Sequence, residues 1–298
     1  MIEKKLLERF RVEPGTRVRL KDHDPGDLGG KKHRKLGKDG LKKKALALLE
    51  QNRQELAEVQ NLLYANDVYS ILIILQAMDA AGKDGIIKHV MSGINPQGCQ
   101  VYSFKQPSAE ELDHNFLWRC SKCLPERGRI CIFNRSYYEE VLVVKVHPQF
   151  LDKQQLPPGK RNEKFWEARY DDINNFERHL VRNGTVVLKF FLHISKAEQK
   201  RRFLERLDTP EKYWKFSPSD MAERAYWDDY QRAFEEALSA TSTAWAPWHV
   251  IPSDRKWVAR TLVAEIICDA IRGLDLSYPK VSKDRMKALA AARKALAQ

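Results

Sequence analysis

The chain has 298 residues, 43% apolar and 31% charged, which is enough for one large core or two small ones and too apolar for wholesale disorder. No apolar run reaches the roughly 18 residues that span a bilayer, and the charged start MIEKKLLERFRVEP lacks a signal peptide's apolar stretch, so a cytoplasmic protein without membrane contact is expected. A net charge of +12 implies an anionic partner, and five cysteines, an odd number, argue for free thiols over a disulfide framework.

Residues 1–69 read as a basic arm followed by a helix that packs on the core. Within them, residues 13–43 mix Gly, Asp and the run Lys31-Lys32-His33-Arg34-Lys35 with little apolar periodicity, which predicts an irregular arm. Leu46, Leu49, Leu56, Val59 and Leu63 then recur at helical spacing. The core is expected over 70–272. It opens with Ser70–Met78, a continuous apolar run rich in β-branched residues, as in a strand buried on both faces of a parallel sheet. Cys99–Phe104, Ile130–Phe133 and Thr185–Leu192 repeat the pattern, and Trp248–Pro252 is a weaker fifth run. Helical patterns cover Ser108–Lys122, Asn162–Arg182, Lys196–Leu207, Pro218–Ser239 and Arg255–Gly273, with Asp254 a candidate cap for the last. This alternation predicts βαβ units with right-handed crossovers, hence an α/β fold around a central parallel sheet. Residues 273–298 form a basic, alanine-rich helical tail. Cys120 and Cys123 make a CxxC with no second pair, so they read as small structural residues and not as a zinc or redox site.

The first strand runs directly into Ala77-Met-Asp-Ala-Ala-Gly-Lys-Asp-Gly85 and then an apolar helix. Strand, small-residue loop, Gly-Lys and helix together make a phosphate cradle. Backbone N–H groups of Ala80, Ala81, Gly82, Asp84 and Gly85 would face the anion, and Lys83 would supply a mobile positive charge. The pattern departs from GxxxxGK[ST], with Ala77 in place of the first Gly and Asp84 in place of the hydroxyl. A carboxylate in an anion-binding loop repels phosphate unless a cation lies between them. Asp79, with Asp84 as a second candidate, is therefore expected to hold Mg²⁺, for which Mn²⁺ can substitute.

Further cations follow other strands. Arg135 emerges after Ile130–Phe133, at the carboxyl end of a central strand, where a guanidinium fork suits the spread charge of a transferring phosphoryl group. Lys105 ends the second strand, and Arg129 lies close by in sequence. With Lys31 and Lys32 of the arm, they would extend a track for a long anion. Residues of about 195–220 read as a lid, with Arg202 and Arg206 on one helix face and Lys212 and Lys215 in the Pro-flanked segment beyond.

Taken together, MDAAGKDG, FKQPSAEELDHNFLWR, FNRSYYEEVLVVKVHP, QKRRFLERLDTPEKYWKFSPSD and TSTAWAPWHVIPSDRKWVAR resemble the polyphosphate kinase 2 family, over roughly Val18 to Arg272. The resemblance implies a P-loop kinase-like three-layer sandwich, similar to thymidylate kinase. It implies Asp79 for Mg²⁺, Lys83 for the phosphates, Arg135 for the transferring group, and Arg202 and Arg206 for charge neutralisation. Many members have Asp where this chain has Asn134, and Glu139 is the candidate replacement. The FNRSYYEE form resembles the subgroup that phosphorylates both nucleoside mono- and diphosphates. The expected reaction is reversible transfer from inorganic polyphosphate to AMP or ADP, in a homo-oligomer, dimer or tetramer, with no nucleic-acid partner. Two alternatives stand beside it: an ATP-dependent nucleoside or nucleotide kinase of the same fold, and a nucleic-acid-binding module, for which no recognition motif is present.

Overall fold

The five apolar runs become strands β1 (Ser70–Ala77), β2 (Cys99–Ser103), β3 (Ile130–Asn134), β4 (Thr185–His193) and β5 (Trp248–Pro252) in a computed structural model that describes residues 4–29 and 37–297. They pair in parallel in the spatial order β2-β3-β1-β4-β5. β1 is central, with Ile71 opposite Ile130 on one side and Val186 on the other, and this explains its uninterrupted apolar run. The chain leaves β1 toward β2 and β3 and later returns to its other side as β4 and β5. The strand order therefore reverses at β1, and a crevice opens beyond the carboxyl ends of the strands there.

Helices α1 (Lys4–Glu8), α2 (Gly37–Asn66), α3 (Lys83–Val90), α4 (Ala109–Leu112), α5 (Trp118–Ser121), α6 (Val143–Val146), α7 (Glu163–Arg182), α8 (Lys196–Leu207), α9 (Pro218–Ala225), α10 (Trp227–Thr241), α11 (Lys256–Arg272) and α12 (Lys283–Leu296) surround the sheet. α2, α3 and α11 pack together as one layer, and α7 lies on β4 with α10 against it as the other. The expected three-layer α/β architecture is present. The amino-terminal segment covers the β5 edge: Val12 N–H donates to the Trp248 carbonyl (2.8 Å) and Val250 N–H to that of Phe10 (2.7 Å). An edge so covered is protected from pairing with another chain.

Several local expectations are corrected. α2 begins at Gly37, so the irregular arm ends earlier than position 43, while Lys31 and Lys32 lie outside the described residues. Ser108–Lys122 is not one helix. Asn115 accepts the Leu117 N–H with its own side chain (3.1 Å), and this local bond competes with the helical one and splits the segment into α4 and α5. Pro218–Ser239 likewise breaks at Tyr226, whose N–H turns back to the Glu223 carbonyl (3.1 Å). Asp254 does not cap α11. Its carboxylate accepts the Ser195 N–H (2.8 Å) and ties the β5 end to the start of α8. α12 forms as expected and is exposed along its length.

Candidate active site

The loop after β1 is shaped by two residues with positive φ, Ala80 (62°) and Gly82 (118°), the latter immediately preceding α3. For alanine this conformation costs on the order of 1 kcal/mol, and such strain clusters at ligand sites. The first-turn N–H groups of α3, from Lys83, Asp84 and Gly85, have no intrahelical partner by geometry, which makes this end of the helix an anion site. Lys83 folds back so that Nζ donates to the Ala77 carbonyl (3.0 Å). Burial lowers its pKa below the usual lysine range, as does the Arg135 charge, and Asp79, Glu139 and Asp84 oppose the shift.

Arg135 also has positive φ (64°), and its N–H donates to the Leu75 carbonyl of β1 (3.1 Å), which carries the β1–β3 ladder to the end of the sheet where the phosphate loop starts. Nη2 donates to Asp79 (2.9 Å), and Nη1 lies 3.6 Å from Glu139. The Glu139 carboxyl is pushed up by burial and held back by Arg135 and Lys83, and Gln76, with its amide turned so that the nitrogen faces Glu139 and the oxygen faces Ser136, donates to it (2.9 Å). Asn134 donates to Asp84 (2.9 Å). Buried beneath this turn, Tyr137 and Tyr138 both donate to Glu177 (2.9 and 2.8 Å), anchoring the segment that carries Arg135.

The phosphate loop, Lys83, Asn134 and Arg135 line a cleft of about 600 Å³ at the reversal point of the sheet, a volume in the usual range for ligand pockets. Nine basic side chains border it, against the three carboxylates of Asp79, Asp84 and Glu205. Asp79, Ala80, Ala81, Gly82, Lys83, Asp84 and Gly85 all lie on its wall, as do Lys105, Arg135, Arg206, Lys212 and Lys215. Glu139 stands behind Arg135 and reaches the cleft through it.

Two expectations fail on geometry. Arg129 precedes β3, and its carbonyl accepts the N–H of Ile71 at the start of β1, a full strand away from the loop that follows Ala77. It is bound there to Glu126 and the Gln97 carbonyl. Closeness in sequence to the strand was misleading because the phosphate end is the other one. Arg202 borders the cleft but is buried, with all five N–H donors occupied: Nε on Glu198, Nη1 on the Ala80 and Ala81 carbonyls (2.9 and 2.8 Å), Nη2 on the Ser253 and Asp254 carbonyls (2.5 and 3.2 Å). It is a clamp on the loop and not a free lid arginine. Arg206 is held more loosely, by the Lys215 carbonyl (3.1 Å) and Asp220 (3.4 Å).

Lys256 and Arg260, from the first turns of α11, were missed. Both are lowered in pKa, first by burial. Their signal was present: they follow the last strand as Lys83 and Arg135 follow theirs. As for a metal, no group of three or more acidic, His or Cys side chains gathers among the described residues. The oxygens of Asp79 and Asp84 still fit Mg²⁺, which takes one or two carboxylates and completes its shell with water and phosphate oxygens.

A parallel sheet, a strand–loop–helix phosphate cradle at its reversal point and a cation-rich cleft define a P-loop phosphotransferase. The family model described as polyphosphate kinase 2 matches residues 40–278, and the chain belongs to that family. It is 54% identical over 250 residues to an ADP-polyphosphate phosphotransferase of Rhodopseudomonas palustris, covering 84% of this chain and 86% of the relative. It is 44% identical over 274 residues to an AMP/ADP-polyphosphate phosphotransferase of Meiothermus ruber, covering 92% and 96%. The crystal structure of polyphosphate kinase 2 from Arthrobacter aurescens superimposes with a TM-score of 0.84 at 41% identity, covering 96% of each chain. No helix among the described residues is long and apolar enough to cross a membrane.

Proposed function

We propose that this enzyme transfers the terminal phosphoryl group of inorganic polyphosphate to the terminal phosphate of AMP or ADP, with GMP and GDP as further acceptors, and runs the reverse reaction as well. The observation that carries this reading is the charge of the cleft: nine cations against three carboxylates suit two polyanions meeting end to end. A phosphate acceptor, with its second pKa at about 6, is already largely anionic at pH 7 and needs no general base. Catalysis is then positioning and charge stabilisation. Backbone N–H groups of the loop and Lys83 hold the donor phosphates. Arg135, on an anchored turn, faces the group in transit, and Arg206, Lys212, Lys215, Lys256 and Arg260 wall the cleft against self-repelling substrates. The names of both relatives above support polyphosphate as a substrate, and the second supports acceptance of AMP as well as ADP.

Mg²⁺ is the proposed cofactor, held by Asp79 with Asp84 beside it. When bound, it would neutralise phosphate charge next to these carboxylates. The proposed compartment is the cytoplasm, in keeping with five free thiols. The test supplies polyphosphate as sole donor with Mg²⁺ and either ADP or AMP. ATP from ADP, and ADP from AMP, are expected. Turnover with ATP and a nucleoside, with none from polyphosphate, would return the reading to an ordinary nucleoside kinase.

A further inference from the structure

Helix α8 grips the phosphate loop from behind through three consecutive carbonyls. Arg202 holds those of Ala80 and Ala81, and Gln199, one turn earlier and fully buried, donates from Nε2 to that of Asp79 (3.0 Å). The peptide unit is planar and trans, so a carbonyl held on one side sends the N–H of the next residue to the other. Gln199 thereby sets the direction of the Ala80 N–H, and Ala80 lies on the cleft wall.

The opposite end of the same amide meets a different element. Gln199 Oε1 accepts a hydrogen bond from Arg224 Nη1 (2.6 Å) on α9. A guanidinium only donates and a carbonyl only accepts, so these two partners fix the amide in one orientation, which neither Glu nor Met could satisfy at both ends. α9 follows the lid segment directly and buries no residue of its own. Its attachments are polar: Asp220 to Arg206 (3.4 Å), Glu223 to His147 (2.9 Å) and Tyr230 (2.6 Å), and Arg224 to Gln199. An element without buried apolar contacts opens at low free energy.

We propose that Gln199 is a positioning residue that links docking of α9 to the conformation of the phosphate loop, so that the Ala80 N–H is aligned when Arg224 is in place. Its kinetic consequence rests on the phosphoryl transfer proposed above, whereas its structural consequence does not. Amide hydrogen exchange of the full-length chain tests the second. Arg224→Met, at a partly exposed position, is expected to speed exchange across 78–85 and leave β4 unchanged, and Arg224→Lys, which keeps a donor, is expected to restore protection. Loop exchange in Arg224→Met equal to the wild type would overturn the proposal whether or not the enzyme uses polyphosphate. In turnover with polyphosphate, Arg224→Met and Gln199→Glu should each lower kcat by about 10- to 100-fold. The double variant should be no worse than the poorer single one, and losses that simply multiply would contradict the link.

Discussion

Two lysines, one within β4 and one at the start of α3, are held in opposite ways. Lys189, in the middle of β4, is fully buried and donates to Glu177 (2.6 Å), the Thr241 carbonyl (2.7 Å) and the Tyr138 hydroxyl (2.9 Å), so all three of its protons are placed. Lys83, at the cleft, has one hydrogen-bond partner among the described residues, the carbonyl of Ala77. The first network is closed and holds the Tyr137–Tyr138 turn in place. The second keeps donor capacity for a ligand. The same contrast separates Arg202, whose five donors are all used on backbone and Glu198, from Arg135, which donates one hydrogen bond to Asp79. Saturated cations build this molecule and unsaturated ones work in it, although both kinds are charged residues near the same strands.

This contrast can be broken by substitution. The largest effect is expected for Arg135→Ala: a loss of about 10³-fold or more in kcat, in the range of arginines that stabilise phosphoryl transfer, with a native circular dichroism spectrum. Next comes Lys189→Met, which leaves the buried Glu177 without its ion-pair partner. Urea unfolding should show a loss of about 3–5 kcal/mol, largely recovered when Glu177→Gln is added. If Lys189→Met melted like the wild type, the closed network would not be structural.

Smaller effects sharpen the cleft side. The Lys83 ammonium is lost at lower pH than an ordinary lysine because burial and Arg135 lower its pKa, so the alkaline limb of kcat/KM should begin below the usual lysine range. The Glu139 charge opposes that shift. Glu139→Gln should therefore move the limb to still lower pH, and a limb that stayed put would remove Lys83 as its source. The smallest effect is expected for Lys212→Ala. Its ammonium is half-exposed and already paired with Glu205 (2.6 Å), and ionic contacts so screened by solvent are worth about 1 kcal/mol or less, so losing its contact with polyphosphate should raise KM about two- to fivefold with kcat kept.

Much of the architecture was legible because buried parallel strands are written as apolar runs: β5 spans the expected Trp248–Pro252, and α8 spans Lys196–Leu207. The phosphate loop was legible for a related reason, since strand, small residues, Gly82-Lys83 and helix are contiguous in the chain. What was not legible is what depends on partners far away in sequence. Arg202 resembles any helix arginine until the carbonyls of Ala80 and Ser253 close around it. Gln199 carries no charge to attract notice, and Arg260 reaches the cleft only because α11 packs beside α3. Arg129 failed for a directional reason: adjacency to a strand does not say which end of the sheet a residue occupies.

The most direct measurement is ATP formation from ADP, polyphosphate and Mg²⁺ by Lys83→Ala, run beside thermal melting of the same sample. Near-wild-type melting with turnover reduced to background is expected, because the ammonium supports phosphates and not the fold. Wild-type turnover in the folded variant would contradict that role.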